Sequence, residues 1–367
     1  MKPARERRWH PEHVRVLRVE PQLGALLDGR ASDLALWLEP GDLLVVNDAG
    51  TLPASLFGRT GDGAPLEVRL AAERAPGAWA AVLFGEGDWR ARTEDRPPPP
   101  RLEPGERLVL SEGPGARLRA QVRAVSRLSP RLVELRFEPE GDAFWAALFR
   151  AGRPVQYSHL EHELELGDVQ TAYATRPWAV EAPSAGLPLT SGLLVELRRR
   201  GVGIAAVTHA AGLSATGDPA LDAALPLPER TEVAAAAVAA VVETRARGGR
   251  VVAAGTSVVR ALESAAGRHG PRASTGVTNL RVGPEYQPRV VDGLLTGIHE
   301  PGTSHFELLQ AFAPREALDA ALAFAEAHGY LGHEFGDALL VLPPRRSART
   351  PRDVRRLALD VGVQEEA

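Results

Sequence analysis

Gly248-Gly249-Arg250-Val251-Val252-Ala253-Ala254-Gly255-Thr256-Ser257-Val258-Val259-Arg260-Ala261-Leu262-Glu263-Ser264 reads as a strand, a turn and a helix in that order. The paired glycines stop whatever precedes them. Arg250–Ala254 is too short and too apolar for a surface strand, so it belongs in a sheet covered on both faces. Gly255 makes the turn, and Thr256 or Ser257 is placed to cap the helix that follows. Such a helix start offers unpaired N–H groups to a carboxylate or phosphate. An ordinary capped strand–helix junction has the same local pattern, so the ligand reading needs support from elsewhere in the chain.

Working outward, the same alternation recurs. Leu43-Leu44-Val45-Val46 follows a Pro40-Gly41-Asp42 turn and ends in Asn47-Asp48. Ile204–Val207 ends in Thr208-His209, Val290–Leu295 leads to Thr296, and Ala338–Leu342 follows Gly336-Asp337. Val14–Val19 alternates as a strand. Helices are predicted over Ser191–Arg200, Glu229–Arg247, Phe306–Phe312 and Pro314–His328. Strands alternating with helices define an α/β sheet with helix-covered faces.

Between about Gly58 and Pro154 the pattern changes to short alternating runs, Leu66–Ala71, Trp79–Phe84, Arg107–Leu110, Arg117–Val125 and Leu132–Phe137. Gly and Pro clusters separate them. That spacing predicts a small β-barrel. The organisation expected is a discontinuous mixed-sheet α/β domain (1–58 and 155–343), an inserted barrel-like domain (59–154) and a basic tail (344–367).

Composition narrows the chemistry. The 367 residues include no cysteine, which removes thiol nucleophiles, disulfides, iron–sulfur clusters and the usual zinc ribbons. Lys2 is the only lysine, so a Walker A loop is impossible and no Schiff-base lysine exists beyond the N-terminus. The net charge of −4 argues against a dedicated nucleic-acid binder. No apolar run is long enough to span a bilayer, and Met1–His10 has no apolar signal core. A cytoplasmic protein is expected.

In open α/β sheets the ligand crevice lies at the carboxyl ends of the strands. Four loops are predicted to meet there. One is the Gly255 turn. The second, Glu181–Thr190, is stiffened by Pro183, Gly186 and Pro188, and Thr190 can cap the next helix. The third, Asp292–His305, carries His299 and His305, and His299 has the chemistry of an acid or base. The fourth is His333-Glu334-Phe335-Gly336-Asp337-Ala338, in which Asp337 can also simply cap a turn. His209, His305 and Asp292 are ligand types a metal accepts, but no H-E-x-x-H or similar spacing supports a metal, and none is expected.

Taken in order, these segments resemble the S-adenosylmethionine:tRNA ribosyltransferase-isomerases of queuosine biosynthesis. The shared series runs from Gly41–Asp48, Pro53-Ala54 and Leu56–Gly58 through Gln170-Thr171, Tyr173-Ala174 and Ala182–Leu187. It continues with Gly255-Thr256, Arg260, Leu262–Ser264, Val291-Asp292, Thr296, His299, Pro301 and Ala311-Phe312, and closes at Gly336–Ala338. The resemblance implies an α/β domain interrupted by a β-barrel. It implies transfer and isomerisation of the ribosyl part of S-adenosylmethionine, as co-substrate, onto 7-aminomethyl-7-deazaguanine in tRNA, giving epoxyqueuosine. On this resemblance Asn47, Asp48, Ala185, Gly186, Gly255, Thr256, Arg260, Glu263 and Thr296 are cofactor-binding candidates. His209, His299 and Asp337 are the proton-transfer candidates.

Several positions depart from the family pattern. Pro188-Leu189 replace H-F in A-P-T-A-G-L-H-F. Gly50 and Ser55 replace the two arginines of N-[DN]-T-R-V-x-P-A-R. The H-x-E-x-[YW] element is reduced to Glu229. R-F-x-S-Y-G-D-A is reduced to Phe335-Gly336-Asp337-Ala338. These changes keep two other readings open: a paralogue using the same co-substrate on a non-tRNA acceptor, and a non-catalytic ligand-binding or regulatory paralogue.

Overall fold

The computed structural model describes residues 1–345 except 9, 23, 114, 115 and 269. Its main sheet has nine strands. In spatial order they are Ser274–Thr278, Glu229–Val233, Gly203–His209, Leu43–Asn47, Val251–Ala254, Gly293–Gly297, Ala338–Val341, Arg15–Glu20 and Ala25–Arg30. Gly203–His209, Leu43–Asn47, Val251–Ala254 and Gly293–Gly297 run parallel, and their carboxyl ends share one edge. Ala338–Val341 is antiparallel to Gly293–Gly297, which makes the sheet mixed.

The apolar runs are continuous because both faces are covered. Leu43, Val45, Val251, Ala253 and Leu294 pack under the helices Ala235–Ala246, Thr256–Ser264 and Arg315–Ala327. Leu44, Val46, Val252, Ala254 and Leu295 face the helix Ser191–Arg199 on the other side. Each fully buried Val or Leu contributes roughly 1.5–3 kcal/mol. At the amino-end edge Arg250 donates from its backbone N–H and its guanidinium to Asp42, with the shortest contact 2.6 Å. Burial pushes the Asp42 carboxyl up, and Arg250 more than offsets it, leaving the group below the ordinary carboxylate range.

A closed six-strand barrel is built from Ser55–Thr60, Pro65–Ala75, Ala78–Phe84, Arg107–Ser111, Leu118–Val125 and Leu132–Glu138. Every neighbouring pair is antiparallel. Closure leaves no free sheet edge. No helix among the described residues is long and apolar enough to cross a membrane.

The elements differ from expectation in three places. Glu229–Val233 is a strand, and the helix begins only at Ala235. Glu229, Thr231 and Val233 are buried while Arg230 and Glu232 are not, the period of two that a strand requires. The Val290–Leu295 strand starts at Gly293, because Glu263 takes the amides of Val290 and Val291 first. Arg345, the first described arginine of the tail, docks on Asp42 at 3.1 Å. Residues 346–367, with Arg346, Arg349, Arg352, Arg355 and Arg356, lie outside the described residues.

Candidate active site

The parallel strands end in polar residues that tie the edge together. Asn47 is 1% exposed and fully bonded. Its carbonyl oxygen accepts from the backbone N–H of His209 and Ala49, and its amide donates to the His209 carbonyl and Ser257 Oγ. An Asn side chain has no further capacity, so Asn47 positions its neighbours. Asp48 accepts from Thr208 Oγ1 at 2.6 Å and Thr175 Oγ1 at 3.0 Å.

Gly255 sits at φ 102°, a left-handed conformation that suits glycine, and its N–H donates to the Leu295 carbonyl. Gly255 itself occupies the N-cap position and no side chain caps the helix, so Thr256 and Ser257 are the first two helical residues. This corrects the expected capping role of their hydroxyls. Amides in a first helical turn have no partner one turn back, which leaves those of Thr256 and Ser257 without an intrahelical partner at the carboxyl edge of the sheet. Ala185 lies against the turn, 3.6 Å from where a Gly255 Cβ would be. Gly186 is required locally, since a Cβ there would sit 2.1 Å from the Tyr173 hydroxyl.

Beside this turn lies an enclosed charged cluster. His209 Nε2 and Glu229 Oε2 are 2.7 Å apart, and Glu229 Oε1 accepts from the Gly212 N–H at 2.7 Å. Arg260 donates to Glu229 Oε2 from one guanidinium nitrogen and to the Leu280 carbonyl from Nε. Burial raises the Glu229 carboxyl, but the hydrogen bond and charge of His209, the charge of Arg260 and the Gly212 amide outweigh it and hold it below the ordinary range. A carboxylate at Nε2 draws a ring proton to that nitrogen and fixes the ring, so Nδ1 is the nitrogen left for another partner. His209 Nδ1 and Arg260 Nη2 are both enclosed and have no partner in the chain. An unpaired buried polar atom costs roughly 1–3 kcal/mol, and a ligand would relieve it.

Thr296 Oγ1 lies 2.8 Å from His299 Nε2, and the His299 ring stacks on His305 at 4.7 Å. Burial first, then His305 and His333, pushes His299 well below its ordinary value. Burial also lowers His305, with Glu229 raising it and Arg260 lowering it. Glu181, from the proline-rich loop, is raised by burial, against hydrogen bonds from Ser214 and the charge of Arg69 in the barrel.

The structure therefore gathers Asn47, Asp48, Ala185, Gly186, Gly255, Thr256, Arg260, Thr296, His209 and His299 around one edge. Glu263 and Asp337 are committed elsewhere. Glu263 accepts from Tyr286 Oη and from the amides of Arg289, Val290 and Val291, so it anchors that loop. Asp337 accepts from Arg8 and from the amides of Arg15 and Leu331, which closes a turn. Asp292 bonds the Val251 amide at the start of its strand, at the sheet edge opposite His209. A His209–His305–Asp292 metal set is therefore not formed. Glu229 was absent from the predicted site because its strand read as helix. The surviving glutamate of the reduced family element was the signal that marked it. Ser55, at a lost arginine position, donates to Glu67, which Arg69 and Arg96 also hold.

A doubly covered mixed α/β sheet joined to a closed barrel, with polar side chains gathered at its parallel strand ends, defines the class: a two-part α/β protein with its candidate site where open α/β sheets carry theirs. The chain belongs to the queuosine biosynthesis protein family, whose sequence model matches residues 2–341. It is 38% identical to an S-adenosylmethionine:tRNA ribosyltransferase-isomerase of Gloeobacter violaceus, over 85% of this chain and 84% of that one. It is 37% identical to the protein of that name from Acidiphilium cryptum, over 90% and 93%. A crystal structure of S-adenosylmethionine tRNA ribosyltransferase from Thermotoga maritima aligns with a TM-score of 0.50 at 25% identity, covering 93% of this chain and 96% of that one.

Proposed function

We propose that this chain transfers the ribosyl part of S-adenosylmethionine to the aminomethyl group of 7-aminomethyl-7-deazaguanine in tRNA and isomerises it to epoxyqueuosine, releasing adenine and methionine. The observation that carries this reading is the enclosed His209–Glu229–Arg260 cluster at the strand ends, in a chain of this family. Arg260 Nη2 and the first amides of the Thr256–Ser264 helix suit an anionic group such as the methionyl carboxylate. His209, held by Glu229, presents Nδ1 as a base for the attacking amine. Neutral His299, oriented by Thr296, is the second proton-transfer group. In this reading the barrel unit, expected at 59–154 and opening with its strand at Ser55, is an insert in an α/β domain formed by the segments on either side of it. The tRNA substrate places the work in the cytoplasm.

The test is incubation of the chain with S-adenosylmethionine and tRNA carrying the 7-aminomethyl-7-deazaguanine base. Epoxyqueuosine by nucleoside mass spectrometry and matching adenine release are expected, with His209→Ala slower by about 10²–10⁴-fold. Folded protein that releases no adenine from this mixture would refute the reading. Adenine release with a small amine but not with tRNA would move the acceptor away from tRNA.

A further inference from the structure

His159 lies in the segment that leaves the barrel, and His333 and Glu334 lie in the turn before the Ala338–Val341 strand. The fold brings them together, and their ligating atoms all lie within 4.8 Å of one another. His159 Nε2 and Glu334 Oε2 are 3.5 Å apart. Both atoms are enclosed and neither has a hydrogen-bond partner. That separation is too long for a charge-assisted hydrogen bond, which is about 2.7–2.9 Å. It matches the edge of a tetrahedron whose metal–ligand bonds are about 2.0–2.2 Å, an edge of about 3.3–3.6 Å.

The His159 and His333 rings lie 4.6 Å apart and 31° from parallel. His333 has φ 66°, the only positive φ outside glycine among the described residues. Side chains rarely adopt that conformation, and here it presents the ring to His159. Gly336 N–H to the His333 carbonyl and Asp337 N–H to the Leu331 carbonyl hold the turn. Leu160 and Phe335, adjacent in sequence to His159 and Glu334, belong to one apolar cluster beneath the two partly buried side chains, while His333 is exposed. Burial and the charge of Glu181 push the Glu334 carboxyl up to about 7, and burial and His333 push His159 down to about 4.

We propose that His159, His333 and Glu334 bind one divalent transition-metal ion of the zinc class, with a fourth position left for water or a substrate atom. Two imidazoles and one carboxylate suit zinc, cobalt or iron rather than magnesium or calcium. The ion clamps the 153–164 segment onto the 331–337 turn and sits close to His299, whose ionisation His333 already influences. The proposal departs from the expectation, drawn from sequence spacing, that no metal is bound.

The test uses full-length protein stripped with a chelator and titrated with zinc or cobalt. One ion per chain is expected, with Kd below about 10 µM, and with cobalt the intense visible absorption of a tetrahedral site. Glu334→Ser and His159→Ala should each weaken binding at least about tenfold, a loss of about 1.4 kcal/mol, with the far-UV circular dichroism unchanged. His162→Ala removes one member of the exposed Glu6–Glu161–His162 group and should leave binding intact. Three results overturn the proposal: no stoichiometric binding to the folded protein, binding unchanged in both site variants, or binding lost only in His162→Ala. If a site variant unfolds, cobalt absorption of the wild type decides, since a featureless visible spectrum at one equivalent overturns the proposal.

Discussion

Removal of the Glu229 carboxylate tests the charged cluster most directly. Glu229 is 6% and Arg260 7% exposed, so Glu229→Ala leaves a buried guanidinium without its counter-charge. Breaking one half of a buried ion pair costs about 3–5 kcal/mol. The Gly212 amide, left unpaired as well, moves the expectation toward the upper end. Glu229→Gln keeps the volume and an acceptor for Gly212 but loses the charge-assisted bonds, and should cost about 1.5–3 kcal/mol. Urea unfolding is the assay, with hydrogen exchange at 229–233 to separate the sheet from the barrel, because two cores need not unfold together. A double-mutant cycle with Arg260→Met isolates the pair. The double variant should be more stable than the sum of the single losses implies, by at least about 1 kcal/mol. A coupling below about 0.5 kcal/mol, or Glu229→Ala within about 1 kcal/mol of wild type, would refute the buried pair. Both Glu229 variants should also lose turnover, since His209 would no longer be oriented.

His299 and His305 are both held below their ordinary values by burial, so the unfolded chain binds more protons as pH falls. Stability is therefore fully present above about pH 6.5 and lost below it, by up to about 1.4 kcal/mol per pH unit for each histidine; urea midpoints at pH 7, 6 and 5 should show a shallower loss in His299→Gln. Gly186→Ala should cost about 1–3 kcal/mol by overpacking, because its Cβ would meet the Tyr173 hydroxyl at 2.1 Å. Adding Tyr173→Phe should recover most of that loss, and thermal melts that show no rescue would place the obstruction elsewhere. Asp42→Ala should destabilise by about 3 kcal/mol, the low end for breaking a buried pair, because buried Arg250 would keep Glu39 at 3.3 Å as its remaining counter-charge. The wild-type pair should weaken only in acid: with the Asp42 value lowered, its contribution is present above about pH 3.9 and lost as pH falls through the folded value.

Local pattern was sufficient for the strands buried on both faces, the turn at Gly255 and the alternating runs of the barrel. In each case neighbours within a few residues decide the conformation. Leu43–Val46 can only be a covered strand, and Leu132–Phe137 alternates because one face meets water. Glu229–Val233 shows where that logic stops. Followed by an alanine-rich stretch, it resembles the start of a helix, yet pairing with Gly203–His209 and Ser274–Thr278 makes it a strand. That pairing brings Glu229 to His209 and Arg260, and no local propensity encodes it. The order of motifs along the chain already pointed to Gly255, Thr256, Arg260 and His299. Only the tertiary structure separated Glu263 and Asp337, whose lone pairs are taken by backbone amides, from His209 and Arg260, which keep an enclosed atom free. Hydrogen-bond capacity is settled by partners distant in sequence, so it becomes readable only once the chain has folded.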